Sequence, residues 1–318
     1  MIFSVYALSS FLFLSSAVRV AQPCPAVSNL FTCAGGASQP PIAVLPLSRN
    51  GINLSHNQRR ANMPTANKTS LKQVLRDECL PALAGHAPYF SVADVRDWLR
   101  QRDLTCPPAL LREYLSAFMR GGVIHDAGRG WYSRIAEPCV LNEKPVARLS
   151  REVAKAFPLL DFTCWSTEQI RSYGHLLLAR FAAFIHTERD AMSSVAERLR
   201  DSGYDIHLNP RGATARQFAI RERTVVIRPK PTTQPHDGHL VTVEGLLVEL
   251  FMEGRALRFM DGGEYFRMFD NLAGYSRISL ARLLDYARER RPAGLELERH
   301  IKAEFLKKSA LVGSDGKP

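Results

Sequence analysis

The chain lacks the marks of several protein classes. Past its N-terminus, none of its 318 residues belongs to an uninterrupted apolar run of roughly 18 or more, which excludes a polytopic membrane protein. It has neither a GxxxxGK[ST] loop nor a GxGxxG turn, so no phosphate-cradling fingerprint is present. No Ser or Cys stands in a nucleophile elbow. The Gly-Ser and spaced Asp-x-Asp pattern of a nucleotidyltransferase is also missing. Cysteine is sparse and scattered: Cys24, Cys33, Cys79, Cys106, Cys139 and Cys164 form no CxxC pair and have no zinc-finger histidines. Free, mostly buried thiols in a reducing compartment are expected, with no disulfide scaffold. Acid is absent from residues 1–62, which carry only Arg19, Arg49, Arg59 and Arg60 as charges.

What is present is ordinary globular composition, 46% hydrophobic and 23% charged, with a net charge of +11. That excess points to an anionic partner, nucleic acid or a membrane surface. Residues 1–20 are apolar and Ser-rich. A signal peptide or a single anchor would fit, but the basic residue follows the apolar run instead of preceding it. Residues 21–62 show no helical or strand period and are rich in Pro, Ser, Asn and Gly. We expect 1–62 to be a disordered or over-extended N-terminal segment, with Met63 as the true start, no membrane association and a cytoplasmic protein.

Amphipathic structure begins next. Thr69 or Ser70 caps a helix carrying Leu71, Val74, Leu75, Leu80 and Leu83, which Pro81 must kink or end. Ser91 caps a second helix, with Asp94 completing a capping box and Phe90 stapling onto Val95. A third helix starts in Thr105–Pro108, buries Leu111, Leu115 and Phe118, and ends at Gly121-Gly122. Two short strands, 123–125 and 130–133, flank the turn 126–129. Three helices and a β-hairpin are the order of a winged helix-turn-helix, expected over residues 63–137. In that arrangement the third helix lies in a major groove with Thr105, Arg112 and Ser116 on its polar side, and His125, Arg129 and Arg134 reach phosphate. A protein-interaction module is the alternative use of such a unit.

Residues 138–306 read as a mixed α/β domain with a helical C-terminal part, and 307–318 as a tail. Helices are expected at 145–157, 192–199, 243–253, 264–272 and 280–291, and strands at 157–165, 181–186, 204–208 and 224–228. The whole chain is therefore expected to be α+β. Asp161, Glu188 and Asp190 are the candidates for a metal-dependent nuclease site, the rival reading, but no acid-x-Lys pair accompanies them. His236-Asp237-Gly238-His239 could bind a metal, although an exposed loop explains it more simply. No catalytic set, metal or cofactor is expected.

From about Thr69 to Arg291 the chain resembles the AbiEi-type antitoxins of bacterial abortive-infection toxin–antitoxin systems. The resemblance rests on Gly130-Trp131-Tyr132-Ser133, Phe157-Pro158, Cys164-Trp165-Ser166-Thr167, Gly174-His175 and Thr187-Glu188. It continues in Thr242-Val243-Glu244-Gly245-Leu246-Leu247-Val248-Glu249-Leu250 and in Leu283–Arg291. Gly245 stands where that family commonly has Lys, and Glu249 where it has Asp. The resemblance implies a DNA-binding antitoxin and autorepressor. Its N-terminal winged helix would bind double-stranded DNA at its own promoter repeats. Its C-terminal domain would counteract a nucleotidyltransferase-like toxin.

Overall fold

A computed structural model describes residues 70–174 and 180–307. The readings placed on residues 1–62, Met63, Thr69, His175 and the tail beyond Lys307 lie outside the described residues. The described residues fall within one compact unit.

Ser70 accepts a hydrogen bond from the Gln73 amide and starts helix α1 (Leu71–Val74). The chain then widens into a π turn, Leu75–Cys79, and continues as α2 (Leu80–His86). Pro81 was expected to kink or end the helix, and helical backbone instead runs past it. Proline sits in the first turn of α2, where its missing N–H costs little, and the irregularity is displaced into the preceding π turn. Strand β1 (Tyr89–Ser91) follows, in a stretch whose Phe90 had been read only as a staple. Its last residue, Ser91, caps α3 (Val92–Arg100), and both bonds of the capping box with Asp94 are made. Helix α4 (Pro108–Arg120) buries Leu111, Leu115 and Phe118. Strands β2 (His125–Asp126) and β3 (Trp131–Ser133) close an antiparallel sheet in the order β1-β3-β2. Leu75, Phe90, Val95, Leu99, Leu111 and Leu115 make the core of this segment.

The larger part is built on a second sheet. It follows α5 (Lys144–Ala156) and contains β4 (Phe162–Ser166), β5 (Ala182–Thr187), β6 (Asp205–Leu208), β7 (Thr224–Pro229), β8 (His236–Asp237) and β9 (Leu240–Val241). Helix α6 (Met192–Asp201) lies between β5 and β6, and the single turn α7 (Ala213–Arg216) between β6 and β7. The strand order is β6-β7-β5-β4-β9-β8. Strands β5, β6 and β7 are mutually parallel, and β4 runs antiparallel to β5. The β4 strand starts later than expected, because Pro158 cannot donate to a ladder and Leu159 points fully into solvent.

Four helices complete the order: α8 (Val243–Leu257), α9 (Gly262–Tyr275), α10 (Leu280–Glu289) and α11 (Ala293–His300), the last read only as part of a helical region. Strand alternation divides the core into two layers. Phe162, Cys164, Ile185, Val225 and Ile227 pack with α5 and α6. Trp165, Phe184 and Val226 pack with α8, which is buried on nearly every side. The mixture of antiparallel and parallel strands with helices is α+β in class, as expected. No helix among the described residues is long and apolar enough to cross a membrane.

Candidate nucleic-acid interface and a basic cleft

The six residues expected to meet DNA fall into two groups. Thr105 is exposed just before α4, and Arg112 and Ser116 are exposed on the helix, opposite its buried Leu111, Leu115 and Phe118. The spacing of four places Arg112, Ser116 and Arg120 on one face. The Arg112 Nε donates back to the Pro108 carbonyl at 3.3 Å, and the guanidinium has no ion pair among the described residues. The second group belongs to the sheet. His125 is half-buried on β2, Arg129 is exposed in the β2–β3 turn, and Arg134 is exposed after β3.

That turn is not free on every side. The Ala281 amide donates to the Ala127 carbonyl at 3.2 Å. Arg277 donates to the Asp126 carbonyl at 2.7 Å. Arg129 therefore borders a shallow cleft against the start of α10, together with Arg282, Asp285 and Glu289. The acids in that cleft weaken the field Arg129 projects toward an anion.

The acids of the rival reading are dispersed in use. Asp161 receives Lys230 Nζ at 2.5 Å. Glu188 and Asp190 are exposed beyond the end of β5. His236 and His239 have separate partners: the His236 ring bonds to the nearby Gly238 carbonyl, and the His239 ring bonds to the Phe162 carbonyl on β4 and stacks on the Phe162 ring at 4.1 Å. Among the described residues no group of three His, Cys, Asp or Glu side chains is placed to hold a metal. Burial pushes the thiols of Cys79 and Cys164 up to about 12, so neither is a nucleophile at neutral pH.

A different site emerges at the carboxyl ends of the parallel strands. On the α8-facing side of β5 and β7 the apolar pattern ends in a polar residue, His186 beside Arg228. Both meet glutamates that α8 carries inside its otherwise apolar surface. Arg228 grips Glu253 with two parallel bonds, Nε to Oε1 at 2.9 Å and Nη2 to Oε2 at 2.6 Å. Its Nη1 donates to the Pro210 carbonyl at 2.7 Å. His186 Nε2 lies 3.8 Å from Glu249. Glu249, fully buried, also accepts from the Tyr286 hydroxyl and from Arg290 Nη2 at 3.0 Å. Gln234 extends the network, accepting from the Thr163 hydroxyl and bonding through Nε2 to His186 Nδ1. That bond makes Nδ1 the acceptor and leaves the ring proton on Nε2, toward Glu249.

Burial holds the His186 pKa below its ordinary value against the pull of Glu249. Burial works against the charge on Arg290, but Glu249 and Tyr286 more than offset it, and its pKa is raised. Arg228, Glu253 and Arg290 form part of the wall of a cleft of about 530 Å³, whose other charged residues are Arg189, Arg211 and Lys230. Reading the sequence missed this site. Its one legible signal was three glutamates, Glu244, Glu249 and Glu253, inside a helix that is otherwise almost wholly buried.

The fold places the chain among α+β proteins with a mostly parallel strand edge and buried ionic pairs behind it. Residues 110–307 match the family described as a family of unknown function, DUF6577, and the chain belongs to that family. No curated protein matches the chain.

Gly245, where the resembling antitoxins carry Lys, has a packing reason to be glycine. A Cβ there would come within 2.6 Å of a Val241 methyl and 2.7 Å of the Pro235 carbonyl oxygen.

Proposed function

We propose that the protein is a DNA-binding transcriptional regulator of antitoxin type, an autorepressor of its own operon that counteracts a nucleotidyltransferase-like toxin in the cytoplasm. Residues 63–137 act as its winged helix-turn-helix, and 138–306 as the domain responsible for antitoxin activity. The observation that carries this reading is α4. It is a helix of 13 residues with one buried face and an opposite exposed face carrying Arg112, Ser116 and Arg120. It is followed by a hairpin presenting Arg129 and by Arg134. A helix of that length and face suits a major groove, and flanking arginines suit phosphate.

The test is fluorescence anisotropy with the protein's own promoter DNA. Arg112→Ala and Arg129→Ala are each expected to weaken binding about 3- to 10-fold, as loss of roughly 1 kcal/mol would. Each should also reduce the salt dependence by about one counterion. Unchanged affinity in both variants at moderate salt would overturn the proposal.

A further inference from the structure

We infer that the cleft at the carboxyl ends of β5, β6 and β7 binds the phosphoryl groups of a small phosphorylated ligand of nucleotide size. Three parallel strands end at this cleft, and in open α/β sheets ligands bind beyond the carboxyl ends of the strands. Five cationic residues line it, against a single acid, Glu253. That acid is already held by both arms of Arg228. Lys230 is paired with Asp161, and Arg290 with Glu249.

Arg189 and Arg211 remain. Both are exposed at the cleft and make no ion pair among the described residues, and the Arg211 Nε bonds only to the neutral Asn209 side chain at 3.3 Å. The cleft therefore has a wall fixed and neutralised by its own ion pairs, and two guanidinium groups without an acid partner among the described residues. Guanidinium forks match phosphate oxygens in pairs, and a fixed wall lowers the ordering cost of binding. A cleft of about 530 Å³ lies in the range that takes a small organic ligand. Pro210, Pro231, Met252 and Ala256 supply an apolar surface for the body that carries the phosphate.

The inference is independent of promoter binding and is tested without promoter DNA. The full chain is titrated calorimetrically with ADP, inorganic pyrophosphate, adenosine and a random 12-nucleotide single strand. ADP and pyrophosphate are expected to bind, and adenosine at least tenfold more weakly. The double variant R189A/R211A, altered only at exposed positions, should weaken ADP at least tenfold while keeping the thermal midpoint of the unliganded protein. The single charge reversal R211E should weaken ADP without disturbing the fold and serves as a second probe if the double variant is unstable. Absence of ADP and pyrophosphate binding at millimolar concentration would overturn the inference, as would equal binding in the variants. Equal binding of adenosine would show recognition of the base alone, and binding of the single strand without ADP would show a nucleic-acid groove. Either result also overturns it.

Discussion

The Tyr89 hydroxyl stands between two backbone groups distant in sequence: it donates to the Ser276 carbonyl at 3.2 Å and accepts from the Ile278 amide at 3.0 Å. Tyr89 lies on β1 of the small sheet, yet its ring is buried in the core of the larger part. Burial raises its phenol pKa well above the ordinary range, so the hydroxyl keeps its proton at any physiological pH. A neutral hydroxyl therefore ties the helix-and-hairpin segment to the helices after α8, alongside the Ala281–Ala127 and Arg277–Asp126 hydrogen bonds. Tyr89→Phe preserves the packing but leaves the buried Ile278 N–H without an acceptor, at a cost of about 1–3 kcal/mol. Urea unfolding should show a lower midpoint with an unchanged m-value. An unchanged midpoint would mean that another acceptor replaces the hydroxyl.

Gly128 meets α10 at the same joint. It holds φ at +96°, and a Cβ built on it would come within 2.6 Å of the Ala281 Cβ and 2.7 Å of the Ser279 hydroxyl. Gly128→Ala adds a strained backbone and a collision with a helix start that cannot move without losing the Ala281–Ala127 hydrogen bond. A loss of about 2 kcal/mol is expected, a fall in Tm of roughly 4–8 °C for a unit of this size. Gly130→Ala is the control: it shares the positive φ, at +76°, but has nothing within 4 Å of its added Cβ. It should lose less, and an equal loss in the two variants would assign the whole effect to the backbone.

Local signals were legible wherever one segment carries its own instruction. Ser91 and Asp94 announce a capping box because both partners lie within one turn, and Thr224–Arg228 announces a strand because it is rich in β-branched residues, with Pro229 as its last residue. Strand β1 was hidden because Tyr89-Phe90-Ser91 is too short to show alternation, and its pairing with Trp131–Ser133 is long-range. The cleft was hidden for a related reason. Its residues come from the ends of three strands and from α8 and the end of α10, so no single stretch shows a motif. The histidines and acids that do lie close in sequence, His236 to His239 and Glu188 to Asp190, were the more visible candidates. The structure gives His236 the nearby Gly238 carbonyl and His239 the sequence-distant Phe162 carbonyl, and leaves the two acids exposed.

Arg228 and Glu253 test how much the wall of the cleft depends on its ionic pairs. Both side chains are nearly buried, and the pair is bidentate. Glu253→Ala leaves a buried guanidinium uncompensated and is expected to cost about 3–5 kcal/mol. Glu253→Gln keeps one acceptor for the guanidinium and should cost less. Paired denaturant titrations separate the two variants. Equal, small losses in both would mean that water reaches Arg228 and screens it.

His186 is expected to make stability depend on pH. Its ring faces Glu249 and Gln234, with Glu253 and Arg290 acting on it at longer range, and burial sets its folded pKa below the ordinary value near 6.5. Above that value the ring is neutral in both folded and unfolded chains, and the full stability is present. As the pH falls below it, the unfolded chain takes up the proton first. Folding then loses up to about 1.4 kcal/mol per pH unit until the folded pKa is reached. His186→Gln removes this proton uptake while keeping a polar group beside Gln234. Unfolding free energies measured from pH 7 to pH 5 should therefore fall less steeply in the variant, by at most one proton. An equal or steeper fall would mean that Glu249 holds the imidazolium in the folded state and that attraction, not burial, governs the pair.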